Sequence, residues 1–228
     1  MKIRRKTKKI ITKKKDGAGS RDSAAAKSVK APAAKRLRLL QSAVKLVYQQ
    51  GFDKTTLADI AADSKIPLGN VYYYFKTKDA IGNALIEQHV LDYRAFRNEW
   101  DKDPDPKNRL LSFIQMMQDN SEQLALSGCP MGTLCSELQK QGGPLAQKGS
   151  QLFSEFLVWI EAQFRAIGQE AESGNLAVHL LSVLEGSTLL THSFRDPTYI
   201  IREANWLREW VSTMSPKRPG KFRKGTTE

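Results

Sequence analysis

The sequence predicts an all-α protein, an amino-terminal three-helix helix-turn-helix unit followed by a larger helical domain. Three observations predict it. Apolar residues recur at helical spacing through most of residues 32–214. No stretch shows period-two alternation, an Asn-Gly hairpin signal or an internal repeat. Two short helical segments, joined by a tight turn at Ser64-Lys65, follow one longer helix.

Residues 1–31 are expected to form a disordered basic arm. They are rich in Lys, Ala, Ser and Gly and carry no periodic apolar positions. The first helix is expected from about Ala33 to Gln50, with Leu37, Leu40, Ala43, Val44 and Val47 on one face. Gly51 stands where a left-handed helix cap belongs. A second helix starts at Thr56, whose hydroxyl suits a free first-turn N–H, with Asp59 three residues on as a capping-box acid. A third begins at Pro67 and ends near Phe75. Lys76-Thr77-Lys78 makes a hinge and closes a unit spanning 32–78.

A fourth helix covers Asp79 to about Trp100, and the Asp/Pro run 101–106 breaks it. A fifth is expected over Lys107–Leu126. The stretch after it reads as irregular, with one short helix from Leu134 to Gln139. A long helix is expected over Pro144–Ala171, another over Leu176–Ser193, and a last one from Pro197 to Met214. The helical domain thus spans 79–214, and 215–228 reads as a basic disordered tail.

Charge is partitioned along the chain. Residues 1–30 hold twelve Lys/Arg against two Asp, and 31–78 hold eight against three. Residues 79–214 reverse the sign, with eleven against eighteen, and the tail holds five against one. A basic front half suits a polyanion. No apolar run is long enough to span a bilayer, and no apolar core follows the basic start, so a cytoplasmic protein is expected. Two cysteines, Cys129 and Cys135, make no disulfide framework, and their C-x5-C spacing is not a zinc pair. No metal or cofactor is expected.

The residues that carry function are on the second short helix, the element of a helix-turn-helix that enters the major groove. Val71 and Phe75 are four apart and point into the unit's core. Pro67, Leu68, Gly69, Asn70, Tyr72, Tyr73 and Tyr74 then share the outer face. Gly69 lets the backbone approach DNA, Asn70 suits a base edge, and the tyrosines suit phosphates or thymine methyls. Thr56, at a helix start, and Lys76 and Lys78, just past the reading helix, suit phosphates.

These residues resemble the DNA-binding domain of the TetR/AcrR regulators across 35–88. The resemblance rests on Thr55-Thr56, Ile60-Ala61 and the run Gly69–Tyr72–Phe75–Lys78, one residue longer between Gly and Tyr than the shorthand Gly-x-Tyr. It departs at Lys65, where the family's turn usually has Gly. A left-handed Lys costs about 1 kcal/mol.

The resemblance implies a ligand-binding and dimerisation domain after residue 90. It also implies a homodimer on a palindromic operator and, by family default, a repressor released by a small effector. The long, late helices agree, since they suit a dimer bundle. Phe113, Met116, Met117, Cys129, Met131, Trp159 and His192, with Leu124 and Leu134, are candidates to line an apolar effector pocket. Two other readings stay open. Cys129, just before a helix start, suits a thiol sensor of oxidants or electrophiles, with Cys135 as resolving partner. The lysine arm alone suits a non-specific DNA-binding protein. An enzyme is not expected, because Cys129 has no base or orienting group beside it in the sequence.

Overall fold

The computed structural model describes residues 22–215, with side chains from Pro32 onward. Residues 1–21 and 216–228, most of the expected arm and tail, lie outside the described residues. Within them are ten α-helices, one 3-10 turn and no strand. The elements are α1 (Asp22–Gln50), α2 (Leu57–Ser64), α3 (Leu68–Tyr74), α4 (Lys78–Trp100) and α5 (Pro106–Asp119). They continue with α6 (Ser121–Ser127), α7 (Pro130–Gln141), α8 (Gly143–Ala166), α9 (Ser173–Phe194) and α10 (Thr198–Thr213).

Four boundaries differ from the sequence-based expectation, each for a local reason. The first helix begins at Asp22 rather than near Ala33, through an alanine-rich run that favours helix. Its buried residues are Leu39, Leu40, Ala43 and Val47, while Leu37 is exposed, so the apolar face is rotated from the expected one. The expected fifth helix is two, α5 and α6. The Asn120 amide donates to the Met116 carbonyl at 2.7 Å, taking an acceptor from the helical ladder. The stretch expected to be irregular is a twelve-residue helix, α7, with Pro130 in its first turn and Cys129 Sγ accepting the Gly132 N–H at 3.2 Å. Finally, α8 stops at Ala166 because Gly168 (φ +90°) turns the chain.

Two apolar cores share the long helices α4 and α8. The first joins α1–α4 to α7 and the start of α8 through Leu39, Phe52, Ile60, Val71, Phe75, Leu134, Leu138 and Leu152. The second joins α4, α5, α8, α9 and α10 through Tyr93, Phe113, Phe156, Trp159, Phe164, Leu180 and Val211. Met131 and Phe153 pack against both. The helix-turn-helix is therefore not a separate bead but is welded to α7 and α8.

Candidate nucleic-acid interface

The geometry of α2 and α3 follows from three local devices. Thr56 caps α2, its hydroxyl oxygen accepting the Asp59 N–H at 3.1 Å, while the Asp59 carboxylate accepts the Thr56 N–H at 2.8 Å. The Thr56 hydroxyl also donates to that carboxylate at 2.7 Å. These bonds hold the Asp59 carboxyl below the usual carboxylate range. The turn is made at Lys65, which is left-handed at φ 54° and ψ 39°. Its N–H and that of Ile66 close back on the carbonyls of Ala62 and Ala61, and Ile66 drops into the core. The Arg38 guanidinium, from α1, donates to the Ser64 carbonyl and fastens α1 to this turn. The same helix adds an ion pair from Lys45 to Asp63 at 2.5 Å.

The residues expected to read DNA occupy one exposed face. Val71 and Phe75 are buried. Pro67, Leu68, Gly69, Tyr72, Tyr73 and Lys76 are exposed, and Asn70 is half-buried. Tyr73 is 78 % exposed, and its ring contact inside the chain is the edge of Tyr74. Gly69 is helical, and a Cβ there meets nothing within 4 Å, so neither backbone strain nor internal crowding requires glycine. Tyr74 lies differently. It is half-buried against the first core, with Tyr73 edge-on at 5.0 Å between centroids. Lys78 is committed inward. Its ammonium donates to the Asp53 carbonyl at 2.7 Å and sits 4.9 Å from the Phe52 ring centre.

Sequence reasoning missed the contact that orients this unit on the rest of the chain. Glu137, on α7, sends its carboxylate to the end of α1, where one oxygen accepts the N–H of Phe52 at 2.5 Å and of Asp53 at 3.1 Å. Gly51 (φ +90°) allows the approach, because a Cβ there falls 2.4 Å from the other Glu137 oxygen. One turn on, the Gln141 amide donates to the Asp53 carboxylate. The signal available in sequence was Gly51 itself, read only as a cap. The Tyr48 hydroxyl makes a second link, donating towards the carbonyls of Gln123 (3.3 Å) and Gly128 (3.2 Å), and burial pushes its pKa up to about 12.

The seven effector-pocket candidates fall into two groups. Phe113, Met116, Met117 and Trp159 belong to the second core, where Trp159 lies 5.3 Å from Trp100 and 6.1 Å from Phe113 between centroids. Inside that aromatic cluster the Tyr93 hydroxyl is buried without a protein hydrogen-bond partner, while Arg97 Nε, which also makes no hydrogen bond, lies 3.9 Å from the Asp101 carboxylate. Cys129, Met131 and His192 lie at the junction of α6, α7 and α9 instead. His192 Nδ1 is 3.2 Å from the Ala125 carbonyl and lines an open, polar cleft of about 280 Å³ with Tyr48, Lys54, Thr133 and Arg195. Cys129 does cap a helix, but burial and the neighbouring Glu185 carboxylate push its thiol well above the ordinary range. The Cys135 thiol donates to the Gly149 carbonyl at 3.0 Å, and burial raises its pKa to about 11. Six residues along one helix separate the two cysteines by about 9 Å, too far for a disulfide without unwinding α7. Among the described residues no group of three or more His, Cys, Asp or Glu is placed to hold a metal ion, and no helix is long and apolar enough to cross a membrane.

Comparison with known proteins agrees with this geometry. Residues 39–85 match the family model of bacterial regulatory proteins, tetR family. An uncharacterised helix-turn-helix transcriptional regulator from the lacX 3′ region of Lactococcus lactis subsp. lactis is 26 % identical over 70 % of this chain and 84 % of its own length. The helix-turn-helix transcriptional repressor NemR of Escherichia coli is 27 % identical over 45 % of this chain and 53 % of its own. A TetR transcriptional regulator from Chloroflexus aurantiacus superposes with a TM-score of 0.72 at 18 % identity, covering 81 % of this chain and 98 % of that one. The matched segment is the one whose turn, cap and exposed face are described above; residues 39–85 are similar to the helix-turn-helix domain of bacterial tetR-family regulatory proteins, and the described chain shares the all-α fold of a TetR regulator.

Proposed function

We propose that the protein is a dimeric repressor that reads a palindromic operator with α3 and leaves it when a small effector binds the helical domain. The observation that carries the DNA reading is the outer face of α3. Leu68, Gly69, Tyr72 and Tyr73 stand exposed with nothing inside the chain to explain them. Tyr73 and Asn70 are the base readers, Gly69 the close-approach point, and Thr56 and Lys76 the phosphate contacts. Lys78 supports the α1–α2 turn rather than reaching outward, and Tyr74 braces Tyr73. The test is a mobility-shift titration on DNA selected by the purified protein. Asn70→Ala with Tyr73→Ala touches no core residue and should weaken specific binding by about 30-fold or more, at about 1–3 kcal/mol per base contact. Unchanged binding would sink the assignment of this face.

The homodimer reading rests on α8 and α9. Val158, Val178, Leu189, Leu190 and Phe194 are exposed large apolar residues on the two helices, a face suited to a four-helix interface with a second copy. The effector reading rests on the second core. Buried polar atoms without partners are rare, and the Tyr93 hydroxyl is one, on a ring 6.3 Å from Trp100 and 3.9 Å from Phe156 between centroids. An effector with a hydrogen-bond acceptor on an aromatic or apolar body satisfies this donor. Binding releases DNA if it prefers an arrangement of α4 and α7 that misplaces the helix-turn-helix pair. Thiol sensing by Cys129 is the weaker reading, because burial, and Glu185 after it, disfavour the thiolate that such chemistry needs. The protein is expected to act in the cytoplasm, where its DNA is.

A further inference from the structure

We infer that the amino-terminal part of α1 is a second DNA contact, a basic helical spur that takes backbone phosphates outside the half-site read by α3. The inference rests on the DNA reading above and adds to it a surface and a footprint.

Helix α1 has 29 residues, but its packing begins only at Leu39. Every residue from Pro32 to Arg38 is exposed, and this part of the helix touches the body only through the Arg38 bond to the Ser64 carbonyl and the Arg36 guanidinium over Phe75. Short helices draw most of their stability from such packing, and a helix exposed on all sides is a surface without its partner. The spur leaves the body beside the end of the reading helix. The Arg36 guanidinium sits 5.3 Å from the ring centre of Phe75, the C-cap of α3, and Lys76 is exposed next to it. Residues 22–38 rise about 25 Å, the length of roughly seven phosphates of one strand.

The chemistry of the partner follows from composition. Residues 1–38 hold fifteen Lys/Arg against two Asp. Among the described residues no ion pair engages Lys35, Arg36 or Arg38. The exposed stretch offers a single large apolar residue, Leu37, which is too little to anchor in a lipid surface. High positive charge without the Asn or Gln that pairs with adenine suits contact with phosphates, the sequence-independent share of DNA binding.

The test compares the full chain with a variant lacking residues 1–30 and with Lys27→Gln, Lys30→Gln, Lys35→Gln in the full chain. Lys35 is exposed, so its substitution removes no core contact. The probes are a duplex recovered by selection from random DNA and the same site trimmed to its protected core. Each lost phosphate contact lowers the slope of log affinity against log salt by about 0.9. Truncation should lower the slope on the long duplex by about three or more, shorten the protected footprint, and keep the preferred sequence. The triple variant should do so in part, and the trimmed duplex should bind all three proteins alike. An unchanged slope and footprint would overturn the spur while leaving the reading helix intact. So would loss of sequence preference on truncation, or a tighter hold on single-stranded RNA than on duplex. If the full chain selects no sequence at all, the DNA reading itself fails.

Discussion

Removing the Glu137 carboxylate tests whether α7 positions the helix-turn-helix. In Glu137→Ala the N–H groups of Phe52 and Asp53 lose their common acceptor. Hydrogen bonds to a charged group contribute about 1.5–3 kcal/mol each when buried. Here one half-buried oxygen serves two donors, so about 2 kcal/mol in total is the expected loss after solvent screening. For a chain of this size that lowers Tm by about 4–8 °C. If the loss is local, amide exchange at Phe52 and Asp53 should rise by about 30-fold. Gly51→Ala supplies the cross-check, because its Cβ would fall 2.4 Å from Glu137 Oε1. In the parent it should break the same two bonds and add backbone strain of about 1–2 kcal/mol. In the Glu137→Ala background only the strain remains, so the double variant should be more stable than additivity predicts by the shared bond loss, about 2 kcal/mol. Native-state hydrogen exchange and thermal denaturation read all four proteins. Strict additivity, or unaltered exchange at Phe52 and Asp53, would refute the positioning role.

Three further outcomes are expected. Lys65→Gly should raise Tm by about 2–4 °C by removing left-handed strain of about 1 kcal/mol, and a lowered Tm would show that the lysine side chain holds the turn. Glu185 has its pKa raised by burial, so the folded state favours its protonated form and loses stability as pH climbs from the ordinary carboxylate range through the raised value. Glu185→Gln should therefore gain Tm on the parent at pH 7.5 and lose that gain near pH 4; a pH-independent difference would contradict it. If α9 carries the proposed homodimer interface, Leu189→Lys, at an exposed position of that helix, should shift the sedimenting species towards monomer while leaving the helical circular dichroism intact.

The reading unit was more legible from sequence than the machinery that serves it. Thr56, Asp59, Pro67, Val71 and Phe75 declare caps and a core face within a few residues of one another, so local rules suffice. Lys65 was readable even as an exception, since only its φ had to be inferred. The register of α1 was harder, because Leu37, Leu39 and Leu40 all compete for one face and only packing chooses Leu39. Helix α7 was read only over Leu134–Gln139, its first turn missed because Gly132 and Pro130 look like loop residues. Its support comes from Leu134 and Leu138, buried against a core built mostly by residues far away in the chain. The Glu137 contact spans 85 residues, and no local pattern predicts it. The effector candidates were chosen by residue type alone, which does not reveal that they divide between two places.

Met131 and Phe153, each packed against both cores, bear on how the molecule comes apart. Helices α4 and α8 also supply side chains to both, so neither core can be exposed without stripping cover from the other. Heating should accordingly give one calorimetric transition rather than an early melt of the first hundred residues. Limited proteolysis should liberate no stable DNA-binding fragment. The reading head of this regulator is then available only as part of the whole. Any variant that loosens the far end of the molecule lowers the amount of protein able to meet DNA, whatever it does to affinity.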